Sequence, residues 1–130
     1  MGLLDRLFAG DNSKDLGWKI LDSEDQLHDL IKRSATKTMA IFKDSTTCGI
    51  SANVKDKLIH SWENSPEKVE FYYLDLLANR GISNLIASEL EVPHQSPQFI
   101  LIKDGKVTYN RSHFSITPDG IQQALEETNA

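Results

Sequence analysis

Cys48 is the one cysteine of the sequence, and its neighbours are those of a thiol placed to ionise. It follows Ser45-Thr46-Thr47 at the close of an apolar run and precedes a stretch of helical periodicity. The amino end of a helix has unpaired backbone N–H groups and the positive end of the helix dipole, so an anionic sulfur is favoured there. Such a position lowers a cysteine pKa from ~8.5 into the range ~3.5 to 7.5 and yields a thiolate at neutral pH. Lys43, ending the apolar run, would add positive charge; Thr47 is the expected N-cap; Gly49 follows the sulfur; and Ser51 could donate a hydrogen bond back to it. In other settings a lone cysteine is a small buried hydrophobe and such a lysine a solvated strand end.

Two more segments are expected at the same end of the molecule. Ser96-Pro97-Gln98 stands just before a strong strand, where a trans proline could simply begin the strand. Arg111-Ser112-His113-Phe114-Ser115 closes the strand after it, and an antiparallel return carries this stretch to the edge that holds Pro97. Arg111 and His113 are candidate ligand contacts there, beside Thr117, which opens the last helix and its anion-favouring N–H groups. A single cysteine cannot resolve its own mixed disulfide, so a two-cysteine cycle is excluded unless another molecule supplies the second thiol. No metal site is expected.

The elements that must position these residues follow from periodicity and punctuation. Trp18, Ile20 and Leu21 form a short extended segment, and Ser23 with Glu24 and Gln26 is a capping box opening a helix with Leu27, Leu30 and Ile31 on one face. Thr38 to Lys43 is a buried strand. Ile50, Val54, Leu58 and Trp62 recur every four residues as a second helix, which Asn64-Ser65-Pro66 stops. Val69 to Leu74 is a second strand, and Ile82, Leu85, Ile86 and Leu90 mark a third helix ending before Pro93. Gln98 to Ile102 and Lys106 to Arg111 are two strands joined at the hairpin signal Asp104-Gly105. Thr117-Pro118-Asp119 then opens a helix burying Ile121, Ala124 and Leu125.

The order α-β-α-β-α-β-β-α predicts an α/β protein with a four-stranded mixed sheet flanked by helices, the thioredoxin-like fold. In that fold a proline at the place of Pro97 is normally cis and faces the catalytic sulfur, leaving the Ser96 backbone free to pair with an extended substrate. Residues 1–15, with an amphipathic patch (Leu3, Leu4, Leu7, Phe8) and the turn-rich Gly10-Asp11-Asn12-Ser13, are read as an arm before a single domain at 16–130.

Composition narrows the function classes. With 39% hydrophobic and 25% charged residues over 130 residues, a single globular domain is expected. The net charge of −5, with basic residues scattered among acidic ones, excludes the dense cationic surface that nucleic acid requires. No apolar run approaches the ~20 residues of a membrane span. The opening Met-Gly-Leu-Leu-Asp-Arg-Leu-Phe is unlike a secretory signal, and a thiol without an internal partner suits the reducing cytoplasm.

Several segments together resemble the monothiol bacilliredoxin-like proteins of the bacillithiol system. They are Ile41-Phe42-Lys43 with Ser45-Thr46-Thr47-Cys48-Gly49-Ile50-Ser51, Asn79-Arg80 with Ser83, Ser96-Pro97-Gln98, Ile102-Lys103-Asp104-Gly105-Lys106-Val107, and Ser112-His113-Phe114 with Ile116-Thr117. The likeness spans residues 16 to 126, with Gly49 standing where the family commonly has proline. It implies that Cys48 is the nucleophile and that Ser96 and Pro97 position the substrate, with Lys43, Arg111 and the start of the last helix holding the carboxylates of a small thiol. The implied partners are proteins carrying mixed disulfides and a low-molecular-weight thiol such as bacillithiol as co-substrate, with no tightly bound cofactor. Cys48-Gly49-Ile50-Ser51 is also similar to the Cys-Gly-Phe-Ser signature of monothiol glutaredoxins, which can ligate an iron–sulfur cluster; the glycine pair and Cys-Asp that glutaredoxins carry after strand four are absent. A non-catalytic thioredoxin-like module binding protein through the Pro97 edge is the third reading.

Overall fold

The computed structural model describes residues 17–46, 49–62 and 68–128. Along the chain run β1 (Lys19–Ile20), α1 (Glu24–Arg33), β2 (Thr38–Asp44), α2 (Gly49–Ser61), β3 (Val69–Asp75), α3 (Arg80–Glu89), β4 (Gln98–Lys103), β5 (Lys106–Ser112), a 3-10 turn at His113–Ser115 and α4 (Pro118–Thr128).

The sheet has the order β1-β3-β2-β4-β5. Strands β1, β3 and β2 are parallel; β4 is antiparallel to β2, and β5 to β4. The expected thioredoxin-like architecture is present, with five strands rather than four. The extra strand is the extended segment at Lys19–Ile20, which pairs with Tyr72 and Tyr73 on the free edge of β3. Leu21 extends the contact by donating its N–H to the Tyr73 carbonyl at 2.8 Å. A two-residue strand carries too little period to be separated from a loop by pattern alone.

Local signals place the helices and the hairpin. The Ser23 side chain accepts from the Gln26 N–H while the Gln26 side chain accepts from the Ser23 N–H, a reciprocal capping box. Asp104 and Gly105 have φ of 54° and 73°, the paired positive values of the tight turn whose twist matches a two-strand ribbon.

Both faces of the sheet are covered. Ala40, Phe42, Val69, Phe71, Tyr73, Phe99 and Leu101 pack against α2 and α4 together with Trp18 and Trp62. Met39, Ile41, Tyr72, Leu74, Ile100 and Ile102 pack against α1 and α3. Burial on two sides explains why β2 is wholly buried and reads as an uninterrupted apolar run rather than an alternation. The two faces meet the carboxyl end of β2 differently: Lys43 lies on the α1/α3 face and Asp44 on the α2/α4 face.

Candidate functional site

The carboxyl end of β2 leads along the chain into Thr47 and Cys48. Cys48 and Thr47 lie outside the described residues, as does the N-cap expected of Thr47. Gly49 is the first residue of α2 and is exposed, with nothing within 4 Å of the position a Cβ would take.

Beside the carboxyl end of β2 stands the start of β4, with Lys43 and Gln98 in register. The Ser96–Pro97 peptide bond is cis, Pro97 is buried, and the Pro97 carbonyl accepts the His113 N–H at 3.1 Å. That bond ties the 3-10 turn after β5 to the Pro97 segment. His113 itself sits at φ 55°, a left-handed conformation in which His, Asn and Asp are enriched among non-glycine residues, and the turn that follows presents Phe114 to solvent at 62% exposure. The Ser96 hydroxyl is buried and has no hydrogen-bond partner among the described residues. Ser96, Pro97 and His113 are therefore brought together as the sequence predicts, with an exposed aromatic beside them.

Arg111 is exposed on β5, its guanidinium 4.6 Å from the centre of the Tyr109 ring and bonded to the Asn110 carbonyl. Thr117 caps α4, its hydroxyl accepting the Gly120 N–H at 3.1 Å. The start of α4 has neighbours on two sides, α2 and β5. A cleft of about 600 Å³ shows its first turn, Pro118 and Asp119, beside Lys57, His60 and Ser61 of α2, which stand roughly 12–18 Å along the helix from Gly49. A Cβ on Gly120 would come within 2.9 Å of both the Thr117 and Tyr109 hydroxyls, which sets Thr117 close to the β5 residue on whose ring Arg111 lies.

Lys43 also departs from expectation. It is fully buried at 0% exposure, with its ammonium 3.3 Å from the Ser83 carbonyl and 3.4 Å from His94 Nδ1. It shares the face of Met39 and Ile41 because side chains alternate along a strand, so it does not stand ready at the surface for a ligand's carboxylates. Burial pushes its amine down to about 8. Ser51 is buried, and its hydroxyl oxygen accepts the Ser45 N–H at 3.2 Å.

Asp44 was hidden in the sequence as the first residue of an apparent turn, yet it is the last of β2 and only 1% exposed. One oxygen accepts from the Tyr73 hydroxyl and lies 3.9 Å from the Lys55 ammonium; the other has no hydrogen-bond partner among the described residues. Burial raises the Asp44 carboxyl above its ordinary range, and Asp75 adds to the rise; the Tyr73 hydroxyl, Lys55 and Ser51 oppose it without cancelling it. Tyr73 is itself raised by burial and by the facing carboxylate. Among the described residues no group of three or more His, Cys, Asp or Glu could hold a metal ion, and no helix is long and apolar enough to cross a membrane.

Comparison with known proteins agrees with this architecture. A solved structure provisionally described as an oxidoreductase with a thioredoxin fold is 31% identical, superposes with a TM-score of 0.71, and covers 83% of this chain and 93% of its own. Thioredoxin from Malassezia sympodialis is 20% identical with a TM-score of 0.67, over 86% of this chain and 90% of that one. Fasciola hepatica thioredoxin is 21% identical with a TM-score of 0.64, over 85% and 98%. These two thioredoxins share the fold. The family profile described as monothiol bacilliredoxin BrxC matches residues 19–121, a span that contains Cys48, the Ser96–Pro97 segment and the turn at His113, and the chain belongs to that family.

Proposed function

We propose that this protein is a monothiol thiol–disulfide oxidoreductase that strips a low-molecular-weight thiol, bacillithiol or one like it, from protein mixed disulfides. The observation that carries the reading is the family match over a domain whose single cysteine directly precedes α2. The Cys48 thiolate attacks the small-thiol sulfur of the mixed disulfide, a new disulfide forms between Cys48 and the small thiol, and the substrate cysteine leaves as its thiolate. A second small-thiol thiolate then attacks the adduct, releasing Cys48 and a symmetric small-molecule disulfide. The substrate protein's sulfur is reduced to a thiol and the incoming small thiol is oxidised to the disulfide level, while the small thiol released from the substrate stays at that level, so Cys48 ends as it began.

The polypeptide partner docks as an extended segment along Ser96 and Pro97, with Phe114 meeting an apolar side chain next to the modified cysteine. Arg111 and His113 serve the carboxylates of the small thiol. Lys43 has no such role, because it is fully buried, whereas Thr117 stands near Tyr109, on whose ring Arg111 lies. No tightly bound cofactor takes part, and the reducing cytoplasm is the setting.

The test is release of the small thiol from a modified peptide at pH 7. Cys48→Ser abolishes release, and Phe114→Ala raises KM for the peptide while leaving the alkylation rate of Cys48 unchanged. Release by Cys48→Ser at a rate comparable to wild type overturns the mechanism.

A further inference from the structure

Lys43 and Gln98 are register partners across the β2–β4 ladder, and both are 0% exposed. Cross-strand partners present their side chains to the same face, so the two act side by side. The Gln98 amide nitrogen donates to the Pro93 carbonyl at 3.0 Å and to Asn110 Oδ1 at 2.9 Å, while its oxygen accepts the Gln95 N–H at 3.3 Å. The Lys43 ammonium takes hold of the residue between them, His94, at 3.4 Å, and the Ser83 hydroxyl is 3.3 Å from the same ring nitrogen. Residues 93, 94 and 95 are thus gripped from one side immediately before Ser96–Pro97.

We propose that Lys43 and His94 are positioning residues: their ammonium-to-imidazole hydrogen bond, backed by Gln98, fixes the Ser96–Pro97 segment where a substrate strand docks. What docks there rests on the function proposed above; the positioning does not.

The partners of the buried amine make the point. Lys43 faces a carbonyl and an imidazole, and among the described residues neither Lys43 nor His94 forms an ion pair with a carboxylate. The ring can accept from an ammonium at Nδ1 only as the neutral tautomer with its proton on Nε2. The groups around His94 are Lys43 on β2 together with Arg80 and Ser83 on α3; burial, then the Lys43 and Arg80 charges, lowers its basicity and keeps that form at neutral pH. A protonated ring would lose the acceptor and set a third positive charge against two others. Acid therefore breaks the contact from the His94 side.

Amide hydrogen exchange reads this without any thiol chemistry. The reporters are the N–H groups of Gln95, bonded to the Gln98 side chain, and of His113, bonded to the Pro97 carbonyl. After correction for intrinsic exchange, wild-type protection at both falls about tenfold from pH 7 to pH 5, while that of Leu27 in α1 does not change. In His94→Gln, whose side-chain oxygen accepts but does not titrate, protection varies by less than about twofold over the same interval. Lys43→Met is poorly protected at both pH values; should it fail to fold, wild type against His94→Gln decides alone. Equal wild-type protection at the two pH values, or an equal loss in His94→Gln, overturns the proposal and leaves the redox reading untouched.

Discussion

Glu70, near the amino end of β3, and Asp44, at the carboxyl end of the neighbouring β2, are both carboxylates inside the sheet, at 4% and 1% exposure. Glu70 is surrounded by cations: Lys19 at 2.8 Å, Arg33 in direct contact and Lys37 at 3.6 Å. Burial alone would push its carboxyl up, but the hydrogen bonds from Arg33 and Lys19 prevail and hold it down at about 2. Asp44 has one hydroxyl and one more distant ammonium, and its carboxyl rises. The same functional group at similar depth is driven in opposite directions by the number of donors it meets. The amino end of β3 holds a fully paired ion cluster, whereas the carboxyl end of β2 keeps a carboxylate with an oxygen unpaired among the described residues.

That contrast can be broken at its strong side first. Glu70→Ala removes the anion that three cations share; breaking a buried pair costs roughly 3–5 kcal/mol, and the partial exposure of Lys19 and Arg33 lets them rehydrate, so about 2 kcal/mol is expected. Urea denaturation at pH 7 measures it, and a loss below about 0.5 kcal/mol would mean that the cluster contributes nothing beyond an ordinary surface pair. The pH dependence follows from the depressed carboxyl: the contribution is complete above the ordinary value of 4.5 and disappears as pH falls toward 2.

Asp44 has the reverse sign. A raised carboxyl stabilises the fold below its unfolded value of 3.8, and that contribution is lost as pH rises through the raised native value. Asp44→Asn keeps the acceptor for Tyr73 and removes the buried charge, so at pH 7 the variant should be about 1 kcal/mol more stable than wild type. A less stable variant would show that the ionised carboxylate is compensated after all.

The smallest effect separates the two clusters by coupling. Lys55→Met withdraws the ammonium nearest Asp44 and should cost about 0.5 kcal/mol at pH 7. In the Asp44→Asn background the cost should vanish, because no charge is left to oppose. A double-mutant cycle gives the difference directly; an unchanged cost in both backgrounds would assign it to the packing of the Lys55 stem against Tyr73.

Much of the scaffold was legible because its signals are local. Ser23 with Gln26 announces a capping box, Asp104-Gly105 a hairpin, and Thr117-Pro118 a helix start, each within four residues. The meeting of Ser96–Pro97 with His113 was also legible, since antiparallel pairing of β4 and β5 fixes which ends coincide. The destination of Lys43 was not. In a strand buried on both faces the apolar run gives no alternation from which to read direction, and the lysine's partner His94 arrives 51 residues later in the chain. Asp44 was obscured by its neighbours, because Asp-Ser-Thr-Thr has the composition of a turn while the ladder runs one residue further than composition suggests.

The two tryptophans of the sequence, Trp18 and Trp62, both belong to the α2/α4 face, with ring centres 6.2 Å apart in an edge-on arrangement and Phe71 in contact with each. Every indole chromophore in the molecule therefore surveys one hemisphere of the core. Emission spectra will register the melting of that layer and stay blind to a loosening around Lys43 and His94 behind the sheet, so optical and backbone-resolved probes will diverge if the opposite layer yields first.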